Sequence, residues 1–388
     1  MDFALTAEQK LIVEATRRFT EQELMPYEEK VERSGQVPSG LVEQIRSRSI
    51  AAGIYAANMP TELGGGGLDP LTLALVEREL GAASYALQYI VARPSNILRA
   101  CQGDQIERYL LPTVRGDRVE CLAMSEPDAG SDLRGMKCSA VRDGDSYIIN
   151  GTKHFISHAD LSDYVILFAA TGEESGSRRR KKITAFLIDN GTPGYEVQPG
   201  YQAVSNRGYH NFVLNFDDCR VSSSAVLGEE HQGFAIANQW LGSTRLQVAA
   251  VCLGRARRAL HLATEWAVDR TQFGRPIGKF QGVSFKLADM QTRYEAAELL
   301  TLRAAWKDGQ GTMTDTDAAM AKLYASEMCQ FVTDEAIQIF GGMGLMDELP
   351  LERLWRDTRV DRIWDGTSEI QRHIISRNLL RPLEKDRP

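Results

Sequence analysis

Three long stretches in the second half of the chain limit the fold most. Residues Gly233–Asp269, 283–306 and Asp315–Phe340 each repeat apolar side chains at helical spacing with few chain breakers. Helices this long and this apolar bury their faces by packing side by side. The spacing therefore predicts a helical bundle over residues 228–388. Faces that are apolar on more than one side suit the core of an oligomer.

The preceding stretch changes period. Within residues 119–227, YIINGTKHFI holds two alternating apolar–polar runs, and 164–170, 183–188 and 212–216 also read as strands. This predicts a small, mostly antiparallel β unit, with Asn150-Gly151 as a hairpin turn. The first 118 residues return to helical patterning. Thr6 followed by Gln9 forms a capping-box signature. The glycine run 64–67 and Pro60 predict a flexible loop, and helices are expected over Pro70–Leu80, 82–98 and 105–111. At roughly 150 residues per domain, 388 residues allow two or three units. An α, β, α order leaves a crevice between domains, a common place for a cofactor.

Charge and composition remove several classes of function. Forty-five basic against 52 acidic residues give a net charge of −7, which favours neither nucleic acid nor an anionic membrane as partner. The longest apolar run, 164–170, is far short of the roughly 20 residues that span a bilayer. The N-terminal stretch has the pattern of neither a secretory nor a transit peptide, so the expected location is cytoplasmic. Six scattered cysteines read as reduced core thiols. His154 and His158 lie four apart in what reads as strand, so no metal site is expected there.

Several clusters hold residues with chemical potential. Residues 125–132 (SEPDAGSD) combine hydroxyls, carboxylates and a Gly turn. Such a loop presents backbone N–H groups to a ring edge or pyrophosphate, or is simply a polar surface turn. Arg270 to Gly274 either grips phosphate or closes a helix. Residues 338–344 (QIFGGMG) form a Gly-rich turn after a helix, without the spacing of a dinucleotide or P-loop motif. The basic run 178–182 (RRRKK) is a solvated loop or a dock for a phosphorylated ligand. Asp365, between Trp364 and Gly366, either caps the next helix or is a desolvated acid poised as a base.

Taken together, these motifs resemble the acyl-CoA dehydrogenase family. CLAMSEPDAGSD (121–132), NGTKHFIS (150–157), DRTQFGRPIGKFQ (269–281), QIFGGMG (338–344) and RDTRVDRIWDGTSEIQ (356–371) match it in order and spacing across nearly the whole chain. The resemblance implies an α+β multi-domain fold. Its parts are an N-terminal helical domain (1–118), a middle antiparallel β-barrel-like domain (119–227) and a C-terminal four-helix bundle (228–388). It also implies non-covalent FAD, a homotetramer, an acyl-CoA substrate and electron-transfer flavoprotein as electron acceptor.

Residue by residue, the resemblance sets Met124 and Ser125 along the flavin ring and Ser131 near flavin and thioester. Phe155 and Ser157 occupy positions that cover the flavin and bond its N5 side, where relatives commonly carry Trp and Thr. Arg270 and Phe273 resemble residues holding the FAD of a neighbouring subunit, with Gln338 and Gly342 as matching phosphate contacts. Thr367 and Glu369 fall where the family contacts FAD. The family removes the α-proton of the thioester with a carboxylate while the β-hydride leaves for flavin N5. Its thioester oxygen is held by a ribityl hydroxyl and the base's own backbone N–H.

Two departures stand out. Relatives usually carry Glu where this chain has Asp365, and some branches place the base at the position of Thr244, which has no carboxylate. Asp365 is therefore the assigned base, with Arg245 as the residue that orients it. Asp is one methylene shorter than Glu, so its oxygen retreats by about 1.5 Å. Errors of about 1 Å can cost 10²-fold in rate. The expected compensation is a substrate whose α-carbon sits differently: 2-methyl-branched, or alicyclic such as cyclohexane-1-carboxyl-CoA. Competing readings are a nitroalkane oxidase, which shares the fold and an Asp base, and a reductase running the reaction backwards. A DNA-associated relative is disfavoured by the mixed charge of residues 377–388.

Overall fold

Thr6 opens the first helix as the capping-box signature predicts. Gln9 N donates to Thr6 Oγ1 and Thr6 N to Gln9 Oε1, both at 3.1 Å. The structure, a computed structural model, describes residues 4–91, 94–174 and 177–384, and of residues 174, 177–179 and 384 the backbone alone. The N-terminal helices are α1 (Ala7–Phe19), α2 (Glu28–Ser34), α3 (Ser39–Ala51), α4 (Pro70–Leu80), α5 (Tyr85–Gln88) and α6 (Leu111–Arg115). The helix expected over 82–98 is not continuous. It stops at Gln88, and 3₁₀ turns at Tyr89–Val91 and Asn96–Ala100 follow, with Pro94 between them removing a backbone donor. The glycine run is not a loose loop either. Gly66 N, Gly67 N and Leu68 N donate to Ala56 O, Met59 O and Ala57 O at 2.8–3.0 Å, pinning it to the preceding turn.

The middle strands are β1 (Glu120–Ala123), β2 (Ser139–Asp143), β3 (Ser146–Ser157), β4 (Tyr164–Glu174), β5 (Ser177–Asp189), β6 (Tyr195–Pro199), β7 (Asn211–Ser222) and β8 (Val226–Leu227). They form one sheet in the order β6-β7-β3-β2-β4-β5-β8, with β1 added parallel to β4. Strand β4 explains the long apolar run. Ile166 and Phe168 face a core shared with α6 and Ile97, whereas Val165 and Leu167 face the opposite core with Ile149, Phe186 and Leu214. A strand covered on both faces has no polar side to display.

Asn150-Gly151 is not the hairpin turn. Strand β3 runs through it, and the β2–β3 turn lies at Gly144-Asp145. Asn150 instead exchanges hydrogen bonds with Asp218 on β7, at 3.0 and 2.8 Å. Gly151 (φ 144°) marks a bulge where an added Cβ would stand 2.6 Å from Cys138 Cα.

The C-terminal part contains α7 (Gly233–Asp269), a two-residue hairpin β9–β10 (Thr271–Gln272, Arg275–Pro276), α8 (Gln281–Gly309), α9 (Asp315–Phe340), α10 (Pro350–Asp361) and α11 (Ser368–Glu384). Alanines on α7 (Ala249, Ala256, Ala259, Ala263) meet Ala321, Ala325 and Ala336 of α9 in one core. Small side chains bring the helix axes close. Glu28 of α2 accepts from Arg258 of α7 at 2.9 Å and from Arg353 of α10 at 2.7 Å, tying the first domain to the bundle. No helix among the described residues is long and apolar enough to cross a membrane.

Candidate active site

Where the helical parts meet the sheet, the chain leaves a cleft of about 1070 Å³. That is at or above the usual range of roughly 300–1,000 Å³ for a single ligand pocket. Met124, Ser125, Ser131, Phe155, Ser157, Thr244, Asp365 and Thr367 all line it. Eight of the residues singled out from sequence thus converge on one cleft from the loop after β1, from β3, from α7 and from the α10–α11 turn. Arg245 is buried beside it, within electrostatic reach of Asp365. Arg270, Phe273, Gln338, Gly342 and Glu369 lie elsewhere, exposed on the bundle surface. Phe273, at 94% exposure, stands at the tip of the β9–β10 turn with φ 50°.

The turn carrying Asp365 is held from beneath. Asp365 and Gly366 take left-handed backbone, φ 52° and 91°. Fully buried Lys322 of α9 donates Nζ to Gly366 O at 2.8 Å. Gln371 Nε2 donates to Gly366 O at 2.8 Å and to Asp365 O at 3.3 Å. At φ 91° a side chain at Gly366 would be strained, and its Cβ would stand 2.7 Å from the Gln371 amide that holds the turn. Asp365 does not cap α11: Thr367 Oγ1 accepts from Ile370 N instead. Water stripped away by the surrounding protein pushes the Asp365 carboxyl up to about 6, against the pull of the Lys322 and Arg245 cations; Asp361 adds to the rise.

Trp364 and three tyrosines that the motifs did not mark build the wall around this acid. Tyr85 packs on Tyr209 and Trp364 with centroids 4.9 and 4.8 Å apart. Tyr89 stacks on His158 at 4.5 Å, and His158 meets the edge of Tyr209 at 4.6 Å. Burial holds all three phenols above their ordinary range and pushes His158 down to about 3, so each is neutral. The four-residue spacing of Tyr85 and Tyr89 was a readable helical pair; Tyr209 gave no local signal. His154 packs on Phe155, whereas His158 packs on Tyr89 and Tyr209.

The opposite side is fixed by a buried ion pair. Lys153 Nζ reaches Glu126 Oε1 at 2.7 Å and Met124 O at 3.0 Å, with neither side chain more than 3% exposed. The second Glu126 oxygen accepts Lys137 N at 2.6 Å, and the first also accepts Cys138 N at 3.0 Å. Residues 124–126 are thereby held in one course along the cleft.

Unpaired buried polar atoms show what the cleft is built to hold. His154 Nδ1, Asn206 Oδ1 and Trp364 Nε1 line it without a partner among the described residues. Together with the phenols they fit a large, polar, heteroaromatic group such as FAD. The only described group of side chains close enough for a metal is Cys252, Cys329 and Asp361. There the Arg255 guanidinium already supplies the positive charge, 2.5 Å from Asp361. All six cysteines are free and buried.

Comparison with known proteins agrees with this construction. Residues 6–117, 121–219 and 231–380 match the N-terminal, middle and C-terminal domains of acyl-CoA dehydrogenase. The chain is 36% identical to a 3-(aryl)acrylate reductase of Clostridium sporogenes, over 97% of this chain and 99% of that one. Butyryl-CoA dehydrogenase from Megasphaera elsdenii superposes with a TM-score of 0.90 at 35% identity, covering 98% of this chain and all of that one. PigA, solved with FAD and proline, superposes with a TM-score of 0.91 at 31% identity, covering 98% and 99%. With each of its three parts matched in order, the chain belongs to the acyl-CoA dehydrogenase family, FAD-dependent oxidoreductases acting on acyl-CoA.

Proposed function

We propose that the protein desaturates an acyl-CoA between Cα and Cβ, with Asp365 as the base that takes the α-proton. One observation carries this reading: the Asp365 carboxyl on the cleft wall is desolvated and raised to about 6, yet faced by the Lys322 and Arg245 cations, which keep it ionised near neutrality. Bound FAD supplies the acceptor for the β-hydride. The chain's own residues do the rest. Met124, Ser125, Ser131, Phe155, Ser157 and Thr367 hold the cofactor against the substrate. Tyr85, Tyr209 and Trp364 exclude water and confine the acyl group, while the Asp365 N–H and Thr244 orient the thioester. The short Asp365 side chain and these aromatic walls favour a 2-methyl-branched or alicyclic acyl group over a straight chain.

A second cavity supports the thioester reading. It is lined by Arg134, Lys181, Lys182 and His231 beside the N-terminus of α7. Cations and a helix N-terminus suit the phosphates of CoA. The side chains of Arg178 and Arg179 in the RRRKK run lie outside the described residues. Exposed Phe273, Phe285, Trp306 and Leu345 support association of the bundle into a homotetramer. Arg270, Phe273, Gln338 and Gly342 then complete a neighbour's FAD site, and electron-transfer flavoprotein receives the electrons. The reverse reaction is the second reading, favoured by the reductase among the relatives.

Asp365→Asn tests the assignment. The variant is expected to keep its visible flavin spectrum and to lose at least about 10²-fold in the rate of flavin reduction by acyl-CoA. Unchanged reduction in that variant contradicts the role of Asp365.

A further inference from the structure

The cleft continues past Asp365. Tyr85 lies within the electrostatic reach of both Asp365 and Glu77, so its ring links the base to a second, buried carboxylate. Glu77, 5% exposed, orients two amides: Gln88 Nε2 and Gln247 Nε2 each donate to it at 3.3 Å. Gln247 stands three residues beyond Thr244 on α7, and all of these residues line the same cleft.

Chemistry fixes which way Gln88 is turned. A carboxylate accepts hydrogen bonds, so the amide must present its NH₂ to Glu77 and its oxygen elsewhere. That oxygen, Gln88 Oε1, is buried on a side chain 4% exposed and meets no donor among the described residues. A hydrocarbon chain filling this end of the cleft would leave the acceptor unpaired; a hydroxyl would satisfy it. A hydroxyl meets this need without bringing a charge into the buried end of the cleft.

We propose that this pocket selects acyl groups carrying a hydroxyl on a carbon remote from Cα and Cβ, bound by Gln88 Oε1, with Glu77 setting the amide's orientation. The inference rests on the acyl-CoA reading of the cleft.

Two matched pairs of thioesters test it with the intact flavoenzyme: 4-hydroxycyclohexane-1-carboxyl-CoA against cyclohexane-1-carboxyl-CoA, and 6-hydroxyhexanoyl-CoA against hexanoyl-CoA. The hydroxylated member of at least one pair is expected to show about tenfold or higher kcat/KM, because a site built to pair a hydroxyl rejects the analogue lacking it. In Gln88→Leu that ratio is expected to fall to about one. Equal or higher kcat/KM for both plain thioesters in the wild-type enzyme overturns the inference and leaves the dehydrogenase reading intact. Failure of all four to reduce the flavin removes the acyl-CoA reading and this inference together. The wild-type ratios decide the matter even if the variant does not fold.

Discussion

Asp365 pays for its position with a left-handed backbone and a loss of water. If it is the base, the rate of flavin reduction rises with pH through about 6 as the carboxyl ionises. Lys322 lowers that value, so Lys322→Met should move the acid limb to higher pH, a shift that loss of packing alone would not produce. A pH–rate profile of both proteins checks this; coincident limbs contradict it. Stability carries a second signature. The folded-state value of about 6 lies above the ordinary 3.8, so ionised Asp365 destabilises the fold above pH 6, and this cost disappears below about 4. Asp365→Asn should therefore be more stable at pH 7.5, by up to about 3 kcal/mol, but not at pH 4. Melting curves at the two pH values decide it. Asp365 was legible in the sequence because Trp-Asp-Gly sits in a motif. Lys322 was not: within a helical pattern a lysine looks solvent-facing, and only the packing of α9 under the turn reveals it as buried.

At the scale of elements, the strand-to-loop segment at 124–126 depends on one ion pair. Lys153→Met leaves Glu126 buried without its cation, a loss of roughly 3–5 kcal/mol. It also releases Met124 O, so flavin retention should fall alongside the melting temperature. Adding Glu126→Gln should recover much of the stability, since the uncompensated charge is then gone. Calorimetry and the flavin-to-protein absorbance ratio report both effects. Two long helices of the bundle, Gly233–Asp269 and Asp315–Phe340, were legible to the residue, because continuous periodicity without breakers admits one solution; the third, expected over 283–306, runs a little further at each end, Gln281–Gly309. Short elements were not. Asn150-Gly151 carries a strong local turn signal, but Asn150 bonds across to Asp218 and tertiary pairing overrides it. Periodicity over 82–98 likewise gave way at Gln88, before Pro94.

On the scale of the whole molecule, the cleft exists because three differently built parts meet, and no single motif describes it. Through its motifs the sequence carried eight of the residues that line the cleft, Asp365 among them. It did not carry Tyr85, Tyr89, Tyr209 and Gln88, which fold together from α5, the 3₁₀ turn after it and the loop before β7. In the proposed reading those residues bear on substrate choice, and its central claim is that Asp365 and this aromatic wall together desaturate a bulky acyl thioester. Anaerobic mixing of the purified flavoprotein with an acyl-CoA panel tests that claim most directly, with the visible flavin band as readout. Bleaching by cyclohexane-1-carboxyl-CoA or 2-methyl-branched acyl-CoAs, with butyryl-CoA and octanoyl-CoA inert, is the expected result. Bleaching by the straight chains alone would contradict the account of the substrate, and bleaching by no thioester would contradict the account of the reaction.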